Sequence, residues 1–309
     1  MLILFVMLFA FLGWLVHWFL RSLVVGDFDD KYIFVSGCDS GFGKHFAMRI
    51  DGKGFRVFAA CYTLKGAQDL AAQCSDRLTT VQVDISCTES VREAAEIVKS
   101  KLPPGKGLWA VVNNAGYTGN LARSEMLSRE DVLATLNVNL LGHMDVLKRF
   151  LPLLRRERGR VVNVCSVVGR VAAVHAAYCV SKYALEAYSD ILRREMVRFG
   201  IRVIVIEPGY FKTPIVNAES AMERLTNSYN SLDEEVKKAY GVDYLASVKA
   251  KLRNGDNPDA YKQVVDAYVE AVTCRFPRSR YMVGRDAVWY FRPLSFSPDW
   301  LQDLVITPR

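Results

Sequence analysis

Apolar residues in this chain fall into three patterns: one long unbroken run at the start, short runs closed by polar or glycine residues, and stretches where they return every third or fourth position. In the first pattern nineteen residues run from Leu2 to Leu20, and His17 is the only one with an ionisable side chain. A helix of that length reaches roughly 28 Å, close to the thickness of a bilayer's hydrocarbon core. A cleaved signal peptide would carry a basic leading region, a shorter apolar core and a small-residue cleavage site. None of these is clear, so residues 1–25 are expected to form an uncleaved single-pass transmembrane anchor. Trp14 and Trp18 approach Arg21 as interfacial residues do, and Arg21 and Lys31 after the span lean the rest of the chain toward the cytosol.

The short runs predict strands at Tyr32 to Ser36, Arg56 to Ala60, Leu78 to Val83, Leu108 to Asn113, Arg160 to Cys165 and Ile201 to Glu207, with a last short one at Tyr281 to Val283. Between them lie helical periodicities such as Val91, Ala94, Ala95, Val98 and Ala184, Leu185, Tyr188, Leu192, Met196. Strands alternating with helices imply an α/β fold with a doubly wound parallel sheet, whose ligands bind at the carboxyl ends of the strands. One catalytic domain is expected over residues 28–285, with a hydrophobic, membrane-interacting tail over 286–309. The segment Thr213 to Asp259 has no strand pattern and predicts helices beside the site.

Composition narrows the chemistry. The net charge of +7 and pI near 9.0 come with bases spread among acids and no nucleic-acid motif, so nucleic acid is not expected as a partner. Clusters such as Arg155, Arg156, Arg158 and Arg275 to Arg280 suit a solvated surface, or secondarily anionic lipid. Seven cysteines without a CxxC pair read as buried thiols, and the four histidines form no metal-ligand spacing, so no metal is expected.

The first predicted strand runs into Ser36-Gly37-Cys38-Asp39-Ser40-Gly41-Phe42-Gly43, followed by an apolar-periodic helix with Phe46, Ala47 and Ile50. Strand, glycine turn and helix are the parts of a dinucleotide site: glycine lets the backbone approach a pyrophosphate, and the helix start offers unpaired N–H groups. An ordinary strand-to-helix turn would look the same taken alone.

Further motifs follow in order: Asn113-Asn114-Ala115-Gly116, Asn139 within Asn137 to Gly142, Ser166, Tyr178-xxx-Lys182 and Pro208-Gly209. Together with the Gly-xxx-Gly-x-Gly spacing, they make residues 30 to 285 resemble the short-chain dehydrogenase/reductase family, which has a Rossmann-type sheet. Gly37 to Gly43, Gly107-Leu108-Trp109 and Tyr178 to Lys182 are similar to its membrane-bound retinol and hydroxysteroid dehydrogenase branch. The resemblance implies that Gly37, Ser40, Gly41, Phe42, Gly43, Asp84, Asn113, Ala115, Gly116, Tyr178, Lys182, Pro208, Gly209 and Thr213 bind the cofactor, with Asp84 at the adenine and Thr213 at the nicotinamide carboxamide. Cys61-Tyr62-Thr63 ends the second strand without a base, and Asp39 and Ser40 stand where a base would help hold a 2′-phosphate. NAD is therefore expected over NADP, with Lys65 as the nearest objection.

A tyrosine phenol titrates near 10 and needs a nearby positive charge to act as a base. Lys182, four residues from Tyr178, supplies one on the same helix face. The resemblance assigns Ser166 to the substrate oxygen and Asn139 to a water-linked proton path. Two departures from the family stand out, Cys165 before Ser166 and His175-Ala176-Ala177 before Tyr178. His175 is a candidate substrate contact, or else a loop histidine facing solvent.

After the last strand come Ala287-Val288-Trp289-Tyr290-Phe291, Trp300-Leu301 and Leu304-Val305-Ile306, too broken by proline and charge to predict a span. They suit the membrane interface, a cover over the pocket, or packing against the core or a subunit partner, which leaves a homodimer open. Leu225, Tyr229, Tyr240, Tyr244 and Leu245 would line a lipid pocket or pack helices. The expectation is NAD-dependent oxidation of a lipophilic retinoid or steroid alcohol at the endoplasmic reticulum membrane. NADPH-dependent reduction of a keto-lipid and a catalytically silent membrane scaffold are the alternatives.

Overall fold

The computed structural model describes residues 2–215, 217–252 and 258–307. Helix α1 (Leu2–Ser22) is followed by β1 (Tyr32–Ser36), α2 (Gly41–Gly52), β2 (Arg56–Cys61), α3 (Leu64–Ala71), β3 (Leu78–Gln82), α4 (Thr88–Lys101) and β4 (Ala110–Asn113). Next come α5 (Arg129–Leu136), α6 (His143–Glu157), β5 (Arg160–Val164), α7 (Ala176–Met196) and β6 (Arg202–Pro208). The chain continues through α8 (Ala218–Asn230), α9 (Glu234–Tyr240), α10 (Tyr244–Lys251), α11 (Pro258–Thr273), β7 (Arg280–Val283), α12 (Arg292–Leu294) and α13 (Asp299–Ile306). The strands form one parallel sheet in the order β3-β2-β1-β4-β5-β6-β7. The order reverses between β1 and β4, which opens a crevice at their carboxyl ends.

Strand alternation explains why the apolar runs are unbroken. Ile33 and Val35 of β1 face a core with Phe46, Ile50, Tyr261 and Tyr268 from α2 and α11. Tyr32 and Phe34 face the opposite core with Val91, Leu147, Phe150 and Leu192 from α4, α6 and α7. A strand covered on both faces has no position to spare for a solvent-facing residue. The expected strands all form, with ends displaced by one or two residues. Leu108 and Trp109 precede β4: the Leu108 N–H turns away to Leu153 O, and the Trp109 N–H to Tyr32 O of β1 begins the pairing that the ladder continues from Ala110. The segment after Thr213 forms α8 to α10, as the missing strand pattern predicts.

The two ends of the chain differ from simple appendages. Within α1 the stretch Phe5–Ser22 is long and apolar enough to cross a membrane, with none of it buried. Its foot is stitched to the end of α11: Val24 bridges Cys274, Val25 N–H donates to Thr273 O at 2.9 Å, and Arg275 N–H donates to Leu23 O at 2.7 Å. Arg21, expected as an interfacial marker, pairs with Glu270 at 3.4 Å. In the tail Ala287, Phe291 and Leu294 are buried against Val167, Val168, Val171 and Cys179. Its outer side leaves Trp289 80%, Phe296 77% and Trp300 67% exposed. All seven cysteines are free; Cys87 is exposed and Cys74 partly so, against the expectation of burial.

Candidate active site

A cavity of about 930 Å³ lies over the carboxyl ends of the strands, running from the glycine turn after β1 to His175 and Tyr178. At one end Gly37 adopts φ +71°, and a Cβ there would lie 2.7 Å from Ala115 Cα, so only glycine fits the turn. Gly41 opens α2 at φ +59° with no other group closer than 3.9 Å to where its Cβ would be. Gly43 does not line the cavity; a Cβ there would meet Gly37 O and Asn114 Nδ2, each at 2.3 Å, so its role is to let α2 pack against the turn. Phe42 faces the cavity and packs edge-on against Phe211, Tyr261 and Tyr268.

Asn113 differs from expectation. It is fully buried in β4, where its Nδ2 donates to Asn163 Oδ1 at 3.0 Å, because alternation along the strand turns it into the sheet's helical layer. Asn114 takes the cavity position and donates to Ser36 O and Gly37 O, both at 2.9 Å. Ala115, Gly116, Asp84, Ser40, Pro208, Gly209 and Thr213 all line the wall. The Asp84 carboxylate accepts from Ser86 N and Oγ at 2.9 and 2.6 Å, fixing the turn after β3. Asp39 accepts from Tyr62 N and Thr63 N, both at 2.8 Å, and so ties the glycine turn to the end of β2. Sequence reasoning had Asp39 only as a charge; its strapping role needed the fold to bring residues 39 and 62 together.

On the other side of the crevice Tyr178 and Lys182 sit one turn apart on α7, both facing the cavity. Lys182 is buried, donates from Nζ to Val164 O at 3.0 Å, and lies 5.6 Å from the Tyr178 ring centroid. Burial raises the Tyr178 phenol well above its usual range, while a hydrogen bond from Ser166 opposes the rise. Burial also lowers the Lys182 amine, with Cys165 and Glu186 opposing. Each group is thus held toward its neutral form, so the simple picture of a lysine charge lowering the phenol is incomplete without a further cation.

Asn139 stands in a π-helical turn (Asn137–Gly142) between α5 and α6, a local widening common near functional sites. Its Oδ1 accepts from Tyr117 N at 2.8 Å, and its Nδ2 donates to Tyr117 O and Ser181 Oγ at 2.8 and 2.9 Å. Both amide protons are committed, so the side chain braces the Tyr117 loop against α7. His175 does not face solvent: it is half-buried on the cavity wall, its Nε2 2.7 Å from Thr118 O and its ring 5.7 Å from that of Tyr178. Burial lowers its basicity, so the neutral ring donates from Nε2 to the carbonyl. Leu225, Tyr229, Tyr240, Tyr244 and Leu245 do not line this cavity; they cluster with Ala122 and Met126 in a separate small core.

A parallel sheet with its crevice between β1 and β4, a glycine turn at one side and a Ser, Tyr and Lys group at the other defines a dinucleotide-dependent oxidoreductase. The chain belongs to the short-chain dehydrogenase family: the sequence pattern described as short chain dehydrogenase matches residues 31–224. It is 44% identical to human retinol dehydrogenase 16 over 98% of this chain and 96% of that protein. It is 43% identical to human 17-beta-hydroxysteroid dehydrogenase type 6 over 96% and 95% of the two chains. Among solved structures, a short chain dehydrogenase from Burkholderia cenocepacia in complex with NADP superposes with a TM-score of 0.68 at 22% identity, covering 92% of this chain and all of that one. The protein is an NAD(P)-dependent oxidoreductase acting on CH–OH groups, of the retinol and hydroxysteroid dehydrogenase branch.

Proposed function

We propose that this enzyme oxidises a lipophilic alcohol, a retinol or a hydroxysteroid, using NAD. The observation that carries the reading is that Ser166, Tyr178 and Lys182 meet on the wall of the same cavity as the glycine turn. Gly41 leaves the space a pyrophosphate needs, Gly37 lets the turn close onto Ala115, and the start of α2 offers N–H groups beside it, so the residues fit a dinucleotide. When bound, the oxidised nicotinamide supplies the hydride acceptor and a positive charge. The Ser166 hydroxyl orients the substrate oxygen, and Tyr178 Oη takes its proton. Lys182 stabilises the phenolate, and Asn139 keeps the Tyr117 loop and α7 in register. His175 borders the substrate end and restricts what enters.

NAD is preferred over NADP because Lys182 is the single Lys or Arg on the wall among the described residues. A 2′-phosphate near the end of β2 would meet the Asp39 carboxylate instead of a cation. Lys65 is not part of the wall. Helix α1 anchors the enzyme in the endoplasmic reticulum membrane, and the outward rings of the tail rest at the interface. Phe291 of the tail packs against Tyr210 of the cavity wall at 5.6 Å, which sets those rings close to the substrate end.

The test is NAD reduction by the membrane-bound enzyme with all-trans-, 9-cis- and 11-cis-retinol and with 3α- and 17β-hydroxysteroids, beside Tyr178→Phe and an NADP titration. Turnover with NAD that vanishes in the variant supports the reading. Preference for NADPH with a keto-lipid, or binding of NAD with no turnover anywhere in the panel, overturns it.

A further inference from the structure

Beneath the floor of the cavity, charged side chains gather that the proton transfer above does not use. Glu186 lies one turn beyond Lys182 on α7 and is buried. Arg280 of β7 pairs with Glu186, with Asp190 at 2.8 Å and with Glu207 at 3.0 Å. Glu207, at the end of β6, is fully buried and takes Arg170 at 2.6 Å as a second partner. On the cavity side the Cys165 thiol, itself part of the wall, neighbours Glu186 and lowers its carboxyl. Gly169 makes the room, since a Cβ there would lie 3.1 Å from Glu186 Cγ. Asp190 also takes Arg193 at 3.1 Å, so three carboxylates meet three guanidinium groups, yet Glu186 Oε1 and Glu207 Oε2 are buried with no hydrogen-bond partner. Two buried carboxylates that share the Arg280 guanidinium, each with an oxygen left unpaired, favour a proton on one of them.

We propose that Glu186 is a positioning residue whose charge keeps Lys182 an ammonium and thereby biases the Tyr178 and Lys182 pair toward phenolate. The proposal rests on the proton-transfer roles assigned above. After its first proton leaves, that pair exists either as phenolate with ammonium or as phenol with amine. Only the first accepts a proton from the substrate alcohol. A negative charge nearer Lys182 than Tyr178 favours it.

The groups facing Glu186 are Lys182 and Asp190 on its own helix, Cys165 after β5, Arg170 in the following loop, Glu207 on β6 and Arg280 on β7. Burial, then Glu207, push the Glu186 carboxyl up to about 7, with Arg280 opposing. As pH falls through that value Glu186 protonates, the pair moves toward phenol with amine, and oxidation slows.

The experiment compares pH profiles of kcat and KM for alcohol oxidation by the full-length membrane-bound enzyme with those of Glu186→Gln and Asp190→Asn. Glu186→Gln is expected to lower kcat about tenfold with KM unchanged, the effect of one pKa unit from a lost neighbouring charge, and to abolish the limb near pH 7. Asp190→Asn, which also loses a contact to Arg280, should keep that limb. Equal changes in both variants, or an unaltered limb in Glu186→Gln, overturn the proposal. Cys165→Ala gives a second route if Glu186→Gln does not fold: losing the neighbouring thiol that lowers the carboxyl should move the limb upward, and an unmoved limb overturns the proposal. The carboxylic C=O infrared band reads Glu186 without turnover. Titration of that band near pH 7 in an inactive enzyme would sink the functional reading alone, whereas its absence sinks the role of Glu186.

Discussion

Strand β5 begins with one buried cation and ends against another. Arg160, its first residue, donates from Nη1 to Ala271 O and Cys274 O at 2.7 and 2.9 Å and stacks over Trp109 at 4.3 Å. Burial lowers Arg160 to about 9, which still leaves it charged at neutral pH. Lys182 reaches Val164 O, at the strand's last residue, and otherwise faces a cavity with a phenol beside it. The first cation has its environment closed around it and can only hold structure together. The second has an open side, and a buried amine with one carbonyl partner can exchange its proton. The difference lies in what surrounds the charge, since both are desolvated to a similar degree.

Substitution should separate the two ends by readout. Tyr178→Phe is expected to cost about 10³-fold in kcat, and Lys182→Met about 10²-fold, within the range of lost general acid–base catalysis. Both should retain NAD binding by fluorescence titration; loss of binding in step with kcat would mean the pair only shapes the site. Arg160→Met should leave kcat within about twofold yet lower unfolding free energy by about 3 kcal/mol, because two carbonyls lose a charged donor. Denaturant unfolding measures this, and an unchanged midpoint would show that Arg160 is dispensable.

Smaller effects sharpen the contrast. Gly43→Ala pushes a methyl into Gly37 O and Asn114, and overpacking of that kind costs about 1–3 kcal/mol. It should weaken NAD binding together with stability, seen by calorimetry, whereas an effect on stability alone would detach α2 from the cofactor end. His143 is the neutral counterpart of the two cations, fully buried with Nε2 2.8 Å from Ala115 O. Burial, aided by Lys182, lowers it from 6.5 to about 3. Between those values the unfolded chain binds the extra proton, so stability falls as pH drops below about 6.5, by at most about 1.4 kcal/mol per unit. Unfolding in urea from pH 7 to 5 should show this slope in the wild type and a shallower one in His143→Gln.

Elements whose function depends on local pattern were legible in the sequence. The strands are unbroken apolar runs because both sheet faces are covered, and the glycine turn and Tyr178-xxx-Lys182 depend on spacing within one loop or one helix. Contacts across the fold were not. Nothing local distinguishes Asn113 from Asn114; strand alternation decides which one meets the cavity. Tyr229 and Tyr244 stack on each other at 5.8 Å, a pairing between helices that composition reads equally well as a pocket wall. Glu186 carries no local signal in the sequence; only β6 and β7 bring Glu207 and Arg280 to it.

The stitch between Val24 and Cys274 fixes where the N-terminal helix joins the catalytic domain. Its foot is fastened at the amino end of the sheet, whereas the cavity opens at the carboxyl end, a strand's length of roughly 17 Å away for five residues. The separation between the foot of that helix and the catalytic side chains is built into the length of the strands themselves.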